Sequence, residues 1–241
     1  MSNIVPDLSL GRTARLAGFG YLIIFLSGIF ANFFVLQNMI VPGDAAATVG
    51  NIMAAQGLFR IGILSFVIMV VFDLLLAWLL YLLLKPVNRD VSLFAGWFRL
   101  VNATIFGIAL YHLFDVLQMV SGTNYLTVFE PGQLHAQVML ALAAFNHTWL
   151  IGLIFFGFHL LLLGYLIIKS DYIPKILGVL LIIAAFGYLI DSFANFLLSN
   201  YSDYQTIFML IVVIPGIIGE LSFTLWLIWK GGKISEIISE N

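Results

Sequence analysis

Apolar runs long enough to cross a lipid bilayer are the feature that most constrains the fold of this chain. A hydrocarbon core of about 30 Å requires roughly 20 apolar residues in helical conformation. These runs are too long and too continuously apolar for the alternating strands of a membrane barrel. We therefore predict an all-α, polytopic membrane protein with six transmembrane helices. The predicted spans are residues 16–40, 61–84, 91–120, 138–168, 173–198 and 206–229.

The composition excludes several other classes of protein. Hydrophobic residues make up 62% of the 241 residues and charged residues only 9%, whereas a soluble domain carries about 25% charged residues. The net charge of −2 leaves no basic surface for nucleic acid, and the absence of Cys removes disulfides and thiolate ligands. We expect one six-helix transmembrane domain over residues 1–241.

The positions of Lys and Arg predict the orientation, because these residues concentrate on the cytoplasmic side of a membrane protein. All but two of the ten basic residues lie at the same side of the predicted spans, which places both termini in the cytoplasm. The two exceptions are Arg60 and Arg99. The basic residues of the cytoplasmic side are Arg12, Arg15, Lys85, Arg89, Lys169, Lys175, Lys230 and Lys233.

Local signals predict details of the helices. Asp44 is placed as the N-cap of an Ala-rich run at 45–56, which is either a short helix over the outer mouth or an ordinary capped turn. Pro215 removes a backbone donor, so we expect a kink or break in the sixth span. Gly152, Gly157 and Gly164 are expected to allow close helix packing.

Ionisable residues inside the spans are costly and are therefore candidates for function. At a rise of about 1.5 Å per residue they separate into two layers. We predict that Arg99 pairs with Glu220, since each offsets the desolvation of the other. The simplest interpretation of His159 is a core histidine with its hydrogen bonds satisfied. The inner polar layer comprises Asp73, Arg99, His159 and Glu220.

The outer layer predicts a ligand pocket. His112 and Asp115 lie three residues apart on one helix face. Arg60 is expected to neutralise Asp115 or Asp191, which leaves the other acid free for a proton or a ligand. Asp191 is our choice for that role, with Tyr188 and Asn195 beside it. The predicted ligand pocket comprises Asn32, Arg60, His112, Asp115, His147, Tyr188, Asp191 and Asn195.

A metal site is the alternative interpretation of the outer layer. Two carboxylates and two imidazoles, from His112, Asp115, His147 and Asp191, are suitable ligands for a divalent ion. We favour a polar network without a metal, because the chain has no HExxH or other closed metal motif. No cofactor is predicted. Nucleotide-binding loops and the GxSxG nucleophile motif are also missing, and whether the protein is an enzyme stays open.

Six short stretches resemble a bacterial membrane family known as domain of unknown function 4386, and the resemblance covers nearly the whole chain. It implies a six-span protein of the bacterial plasma (inner) membrane. It implies no activity, and it transfers no role to Arg60, His159 or Asp191. The stretches are VPGDAAA at 41–47, GLFR at 57–60, KPVNR at 85–89, FGFH at 156–159, IPKILG at 173–178 and YLIDSF at 188–193.

Three classes of function remain open. The first is a small-solute or lipid-binding protein or a proton-coupled carrier that uses the outer pocket. The second is an intramembrane metal-dependent hydrolase, and the third is a structural or regulatory membrane protein. We favour the first, because four intramembrane acids exceed what helix register alone requires. The expected partners are membrane lipids and a small-molecule or lipid ligand, with no nucleic acid; the sequence does not determine the ligand or the oligomeric state.

Overall fold

The computed structural model describes residues 9–234, and this part of the chain is helical and contains no β-strand. Six of its helices are long and apolar enough to cross a membrane. The predicted all-α, polytopic fold is therefore confirmed. The spanning helices are α1 (Leu10–Met39), α3 (Gln56–Leu84), α4 (Arg89–Met119), α5 (Pro131–Lys169), α6 (Lys175–Leu197) and α7 (Tyr201–Trp229), and α2 (Ala45–Ala54) lies between α1 and α3.

Five of the six spanning helices begin before the predicted span, because a polar sequence can continue a helix outside the hydrocarbon core. Helix α6 instead lies inside its predicted span, 173–198. α5 begins at Pro131, seven residues ahead of the predicted start at residue 138. Proline suits the first helical turn, where its missing N–H has no partner to lose. The side-chain oxygen of Gln133 also accepts a hydrogen bond from the Glu130 N–H at 3.1 Å. Hydropathy thus located the apolar part of the helix, while the capping residues determine where the helix begins.

The turn before α2 has the predicted cap. The Asp44 carboxylate accepts a hydrogen bond from the Ala47 N–H at 2.9 Å, and the Thr48 hydroxyl accepts one from the Val41 N–H at 2.9 Å. Gly43 has a φ of 78°, which favours glycine at this position. Of the two interpretations of this segment, the structure shows the short helix.

Helix α7 is interrupted where Pro215 predicted a kink or break. The α-helix from Tyr201 to Gly216 passes into a π-helical turn, Ile217–Leu221, before α-helix resumes. Proline cannot donate to the carbonyl one turn earlier, and π-turns are frequent at functional sites. A second π-helical segment, Phe30–Leu36 in α1, has no proline and was not predicted.

The chain folds into two compact units. Four of the spanning helices contribute one segment to each unit, while α6 and α7 belong wholly to unit 1. The prediction of a single domain over residues 1–241 stays a prediction, and residues 1–8 and 235–241 lie outside the described residues. Unit 1 is Met1–Leu22, Asp73–Asn102 and Leu153–Asn241, and unit 2 is Ile23–Phe72 and Ala103–Gly152.

Within unit 1, glycine allows α5 and α6 to pack backbone against backbone. A Cβ atom on Gly164 would lie 2.6 Å from the carbonyl oxygen of Gly178, and one on Gly178 would lie 2.5 Å from the carbonyl oxygen of Gly164. A Cβ atom on Gly157 would lie 2.8 Å from Leu189. The predicted packing role of Gly157 and Gly164 is confirmed, and this contact fixes α6 beside the polar residues of α5.

Candidate functional site

Unit 1 contains all four residues of the predicted inner polar layer. Asp73 comes from α3, Arg99 from α4, His159 from α5 and Glu220 from the π-helical turn of α7. Each is at most 9% exposed. Four ionisable groups buried at this level are expensive, so the contacts that compensate them define the candidate site.

Arg99 forms a buried ion pair with Asp73. Its Nη2 lies 2.5 Å from Asp73 Oδ1, and the two side chains are 1% and 4% exposed. The predicted pairing of Arg99 with Glu220 is therefore wrong. Asp73 was predicted in the same inner layer as Arg99, but residue spacing did not show that the two side chains face each other. Glu220 lies within electrostatic range of Arg99 without pairing with it.

The rest of the guanidinium is surrounded by polar and aromatic groups. Nη1 donates to the Tyr21 hydroxyl at 3.1 Å and lies 3.1 Å from Nε2 of His159. The guanidinium carbon lies 5.0 Å from the ring centroid of Tyr21 and 5.5 Å from that of Phe156, within cation–π range. Nε of Arg99 has no hydrogen-bond partner among residues 9–234.

His159 is held in one tautomer by its neighbours. Its Nδ1 lies 2.9 Å from the Ala95 carbonyl oxygen, which can only accept, so Nδ1 carries the hydrogen. Nε2 is then free to accept a hydrogen bond from Arg99. Both ring nitrogens are satisfied, which confirms the simplest interpretation of this residue as a core histidine.

Glu220 is a buried carboxyl whose hydrogen-bond partner is a tyrosine and not a cation. Its Oε1 accepts from the Tyr188 hydroxyl at 2.8 Å. Within residues 9–234 no Lys or Arg forms an ion pair with it. Since Asp73 already neutralises Arg99 and His159 is neutral in the tautomer above, the charge of an ionised Glu220 would have no partner of its own.

Asp191 has the same kind of environment as Glu220. Its Oδ1 accepts from the Tyr201 hydroxyl at 2.6 Å, and it is 9% exposed. Asn195 lies beside the same hydroxyl. Tyr188 and Asp191 are three residues apart on α6 and so share one face, but the Tyr188 hydroxyl is bonded to Glu220. Two carboxyl–tyrosine pairs therefore follow each other along the packed helices α6 and α7.

The other predicted pocket residues belong to unit 2. His112 Nδ1 lies 3.7 Å from Asp115 Oδ2, with both side chains about one-third exposed. Asn32 is half-buried and His147 is exposed. Arg60 is also exposed and pairs with no acid in the described part of the chain, so its expected pairing with Asp115 or Asp191 is wrong. Arg60 instead borders an apolar groove of unit 2.

The described residues contain no group of three or more His, Asp or Glu that could hold a metal ion. The alternative set of His112, Asp115, His147 and Asp191 therefore has no support as a metal site in residues 9–234. The hydrolase hypothesis depended on that set for its chemistry.

Comparison with known proteins places the chain in a family. The model of the family described as Domain of unknown function (DUF4386) matches residues 16–231. The chain is a DUF4386 protein. An uncharacterized protein of Archaeoglobus fulgidus is 35% identical to it over 177 residues, which is 73% of this chain and 88% of that relative. No solved structure matches the chain. The resemblance to the family is confirmed, and neither match carries an activity.

The sequence prediction missed two tyrosines of the site, and both lie within the residues that match the DUF4386 family. Tyr21 in α1 and Tyr201 at the start of α7 each direct a hydroxyl to an ionisable group. A buried tyrosine hydroxyl usually finds a polar partner, so a tyrosine inside the first apolar run was a usable signal. Tyr201 was missed because it precedes the predicted sixth span, 206–229.

Proposed function

We propose that this protein is a proton-coupled carrier or binding protein for a small solute in a bacterial plasma membrane. In this proposal Asp191 and Glu220 are the groups that take up and release the proton. His112 and Asp115 in unit 2 stay predicted ligand contacts. The proposal extends a coarser finding, that the protein is a multi-pass membrane protein of a family whose function is unknown.

The observation that carries the proposal is the pairing of two buried carboxyls with tyrosine hydroxyls. Tyr188 donates to Glu220 at 2.8 Å and Tyr201 donates to Asp191 at 2.6 Å. An ionised carboxylate costs several kcal/mol when it is buried without a cation. Such a group holds a proton when it is enclosed and releases it when water or a cation reaches it. A coupled carrier requires a group that alternates in this way.

The backbone around Glu220 supports movement at this position. Glu220 lies in the π-helical turn that follows Pro215, and interrupted helices beside ionisable groups are a feature of transporter binding sites. Gly219 lets this turn approach α6 closely, since a Cβ atom there would lie 3.0 Å from the Leu180 carbonyl oxygen. A shift of α7 at the turn would change the surroundings of Glu220.

The ion pair of Arg99 and Asp73 lies within electrostatic range of the proposed proton site at Glu220. The pair is neutral as a unit, so Glu220 can be protonated without leaving the site charged. When Glu220 is ionised, Arg99 lies within electrostatic range and has an unused donor at Nε. The arginine can therefore stabilise the ionised state that follows release of the proton.

Infrared difference spectroscopy between low and high pH tests the proton sites directly. A protonated carboxyl in a dry environment has a C=O stretching band that disappears when the proton is released. We expect such a band in the wild-type protein, with one component from each carboxyl group. Glu220→Gln should remove one component and Asp191→Asn the other. Asp90→Asn is the matched control, because Asp90 is exposed in the first turn of α4 and its substitution should leave the band unchanged.

Proteoliposomes test the coupling. A panel of amino acids, organic acids, sugars and organic cations is offered with and without an inward proton gradient. We expect one class of solute to enter faster with the gradient, and Glu220→Gln to remove the dependence on the gradient. A buried-carboxyl band that survives both substitutions, or solute uptake that is equal with and without the gradient, would contradict the proposal.

A further inference from the structure

A groove lies at one end of unit 1, and none of its lining residues belongs to the carboxyl–tyrosine pairs. It has a volume of about 510 Å³ and is formed by the α5–α6 loop together with the last turn of α7. Its volume is within the range of roughly 300–1,000 Å³ that is usual for small-ligand sites. The lining residues are Ser170, Asp171, Tyr172, Ile173, Pro174, Lys175, Trp226 and Lys230.

Hydrogen bonds hold the loop that forms one wall of the groove. The Tyr172 hydroxyl donates to the Leu83 carbonyl oxygen at 2.6 Å. The Ser170 hydroxyl donates to the Ile167 carbonyl oxygen at 2.9 Å and accepts from the Ile173 N–H at 3.3 Å. Ser170, Tyr172 and Ile173 are all buried. The groove is therefore built by an ordered loop, and its shape exists before any ligand binds.

The groove carries unneutralised positive charge. Lys175 and Lys230 line it and are exposed, and neither forms an ion pair with an acid within residues 9–234. Asp171 is the single acid of the lining. The Arg15 guanidinium packs against Gly232, just beyond Lys230, and adds a third cation at this end of unit 1. An anion is the ligand that this arrangement of charges favours.

The sequence around the groove places it at the membrane surface. Lys169 ends α5, Lys175 begins α6, and Lys230 follows α7 directly, so the apolar part of all three helices stops here. Trp226 lines the groove, and the neighbouring Trp229 is 68% exposed. Tryptophan is enriched where helices pass through the headgroup layer of the bilayer.

We propose that this groove binds the phosphate headgroup of an anionic phospholipid. The ammonium groups of Lys175 and Lys230 would contact the phosphate, and the Trp226 ring would pack against the glycerol and the first acyl carbons. Basic pockets between transmembrane helices on the cytoplasmic side recognise lipid headgroups in this way, and the distribution of Lys and Arg predicts that this end is cytoplasmic. A free phosphate is also an anion, but the Lys and Trp residues of the groove indicate that it lies at the depth of the lipid headgroups. The lipid site does not depend on the proposed proton coupling.

The test uses the full-length protein in detergent with added dioleoyl phosphatidylglycerol or dioleoyl phosphatidylcholine. Native mass spectrometry measures how much of each lipid stays bound. A lysine near an anionic lipid surface contributes a factor of about five in affinity. We therefore expect the Lys175→Gln, Lys230→Gln double variant to bind phosphatidylglycerol about 25-fold more weakly, and phosphatidylcholine as the wild type does.

The matched control is the Lys85→Gln, Arg89→Gln double variant, which removes two exposed positive charges from the same predicted side, outside the groove. It should bind phosphatidylglycerol as the wild type does. Lys175→Arg with Lys230→Arg keeps the charge and should retain most of the binding. A monodisperse peak in size-exclusion chromatography and an unchanged helical circular dichroism signal show that each variant is folded.

Three results would overturn the proposal. The first is equal retention of the two lipids by the wild type, and the second is an equal loss of binding in the Lys85→Gln, Arg89→Gln control. The third comes from a titration with inorganic phosphate in the absence of added lipid. If phosphate raises the melting temperature as much as phosphatidylglycerol does and displaces that lipid, the groove is a site for free phosphate. Failure of the infrared test at Glu220 would leave this lipid site unaffected.

Discussion

The ion pair between Arg99 and Asp73 yields the sharpest prediction about stability. At 2.5 Å between Nη2 and Oδ1 the attraction of the two charges is about 7 kcal/mol at an effective dielectric constant of 20. Most of this offsets the cost of burying both ions, so the net value of the pair is small. Removal of one partner is different, because the other charge stays buried without compensation. Asp73→Asn should lower the free energy of unfolding by about 3–5 kcal/mol.

Asp73→Asn should lower the free energy of unfolding more than Arg99→Met does. An arginine cannot lose its proton in a protein, so Arg99 would stay charged without Asp73. A carboxyl can take up a proton, so Asp73 without Arg99 can become neutral. Arg99→Met also removes the hydrogen bond to Tyr21, which adds about 1 kcal/mol to its own cost. The difference between the two losses in the free energy of unfolding should narrow as the pH rises. Protonation of Asp73 then becomes harder, so Arg99→Met costs more stability.

A double-mutant cycle measures the pairing by reversible unfolding in mixed micelles, followed by tryptophan fluorescence. Asp73→Asn with Arg99→Met should show a coupling energy of about 2–3 kcal/mol, whereas Glu220→Gln with Arg99→Met should be additive to within about 0.5 kcal/mol at a pH where Glu220 holds its proton. Arg89→Met is the control, since Arg89 is exposed and its loss should change stability by less than about 0.5 kcal/mol. Larger coupling to Glu220 than to Asp73 would refute the assignment of the ion pair.

Two further predictions concern packing and topology. Gly164→Ala should destabilise the protein by about 1–3 kcal/mol, because its Cβ would lie 2.6 Å from the facing carbonyl oxygen of Gly178. Gly107→Ala should stabilise it by up to about 1 kcal/mol, because a Cβ there would meet no packed neighbour within 4 Å. Similar effects of the two substitutions on the melting temperature would contradict the backbone contact. Thr123→Cys and Ser202→Cys lie on the predicted outer side and should react with an impermeant thiol reagent added to intact cells, whereas Lys85→Cys lies on the predicted cytoplasmic side and should not. All three positions are exposed and the chain has no other Cys, so each reaction reports one position. The reverse pattern would overturn the predicted orientation.

The sequence alone determined the features that depend on composition along the chain. Apolar runs of sufficient length predicted six spanning helices, because only a helix satisfies its own backbone groups in lipid. Asp44 predicted a cap, Pro215 predicted an interruption, and Gly164 predicted close packing. Each of these signals acts within one helix or through the absence of a side chain. They required no knowledge of which helices are neighbours.

Only the tertiary structure decided which ionisable groups meet. Residue spacing gives the height of a group along its helix, but the partner of Arg99 depends on how the helices are rotated and which of them are adjacent. In a soluble protein an apolar stripe reveals the buried face of a helix. In a membrane the lipid is as apolar as the interior, so Leu and Phe cover both faces and that signal is lost. For this physical reason the sequence did not show that Arg99 pairs with Asp73 or that Arg60 is exposed. Residue spacing had favoured Glu220 as the partner of Arg99, and Asp115 or Asp191 as the partner of Arg60.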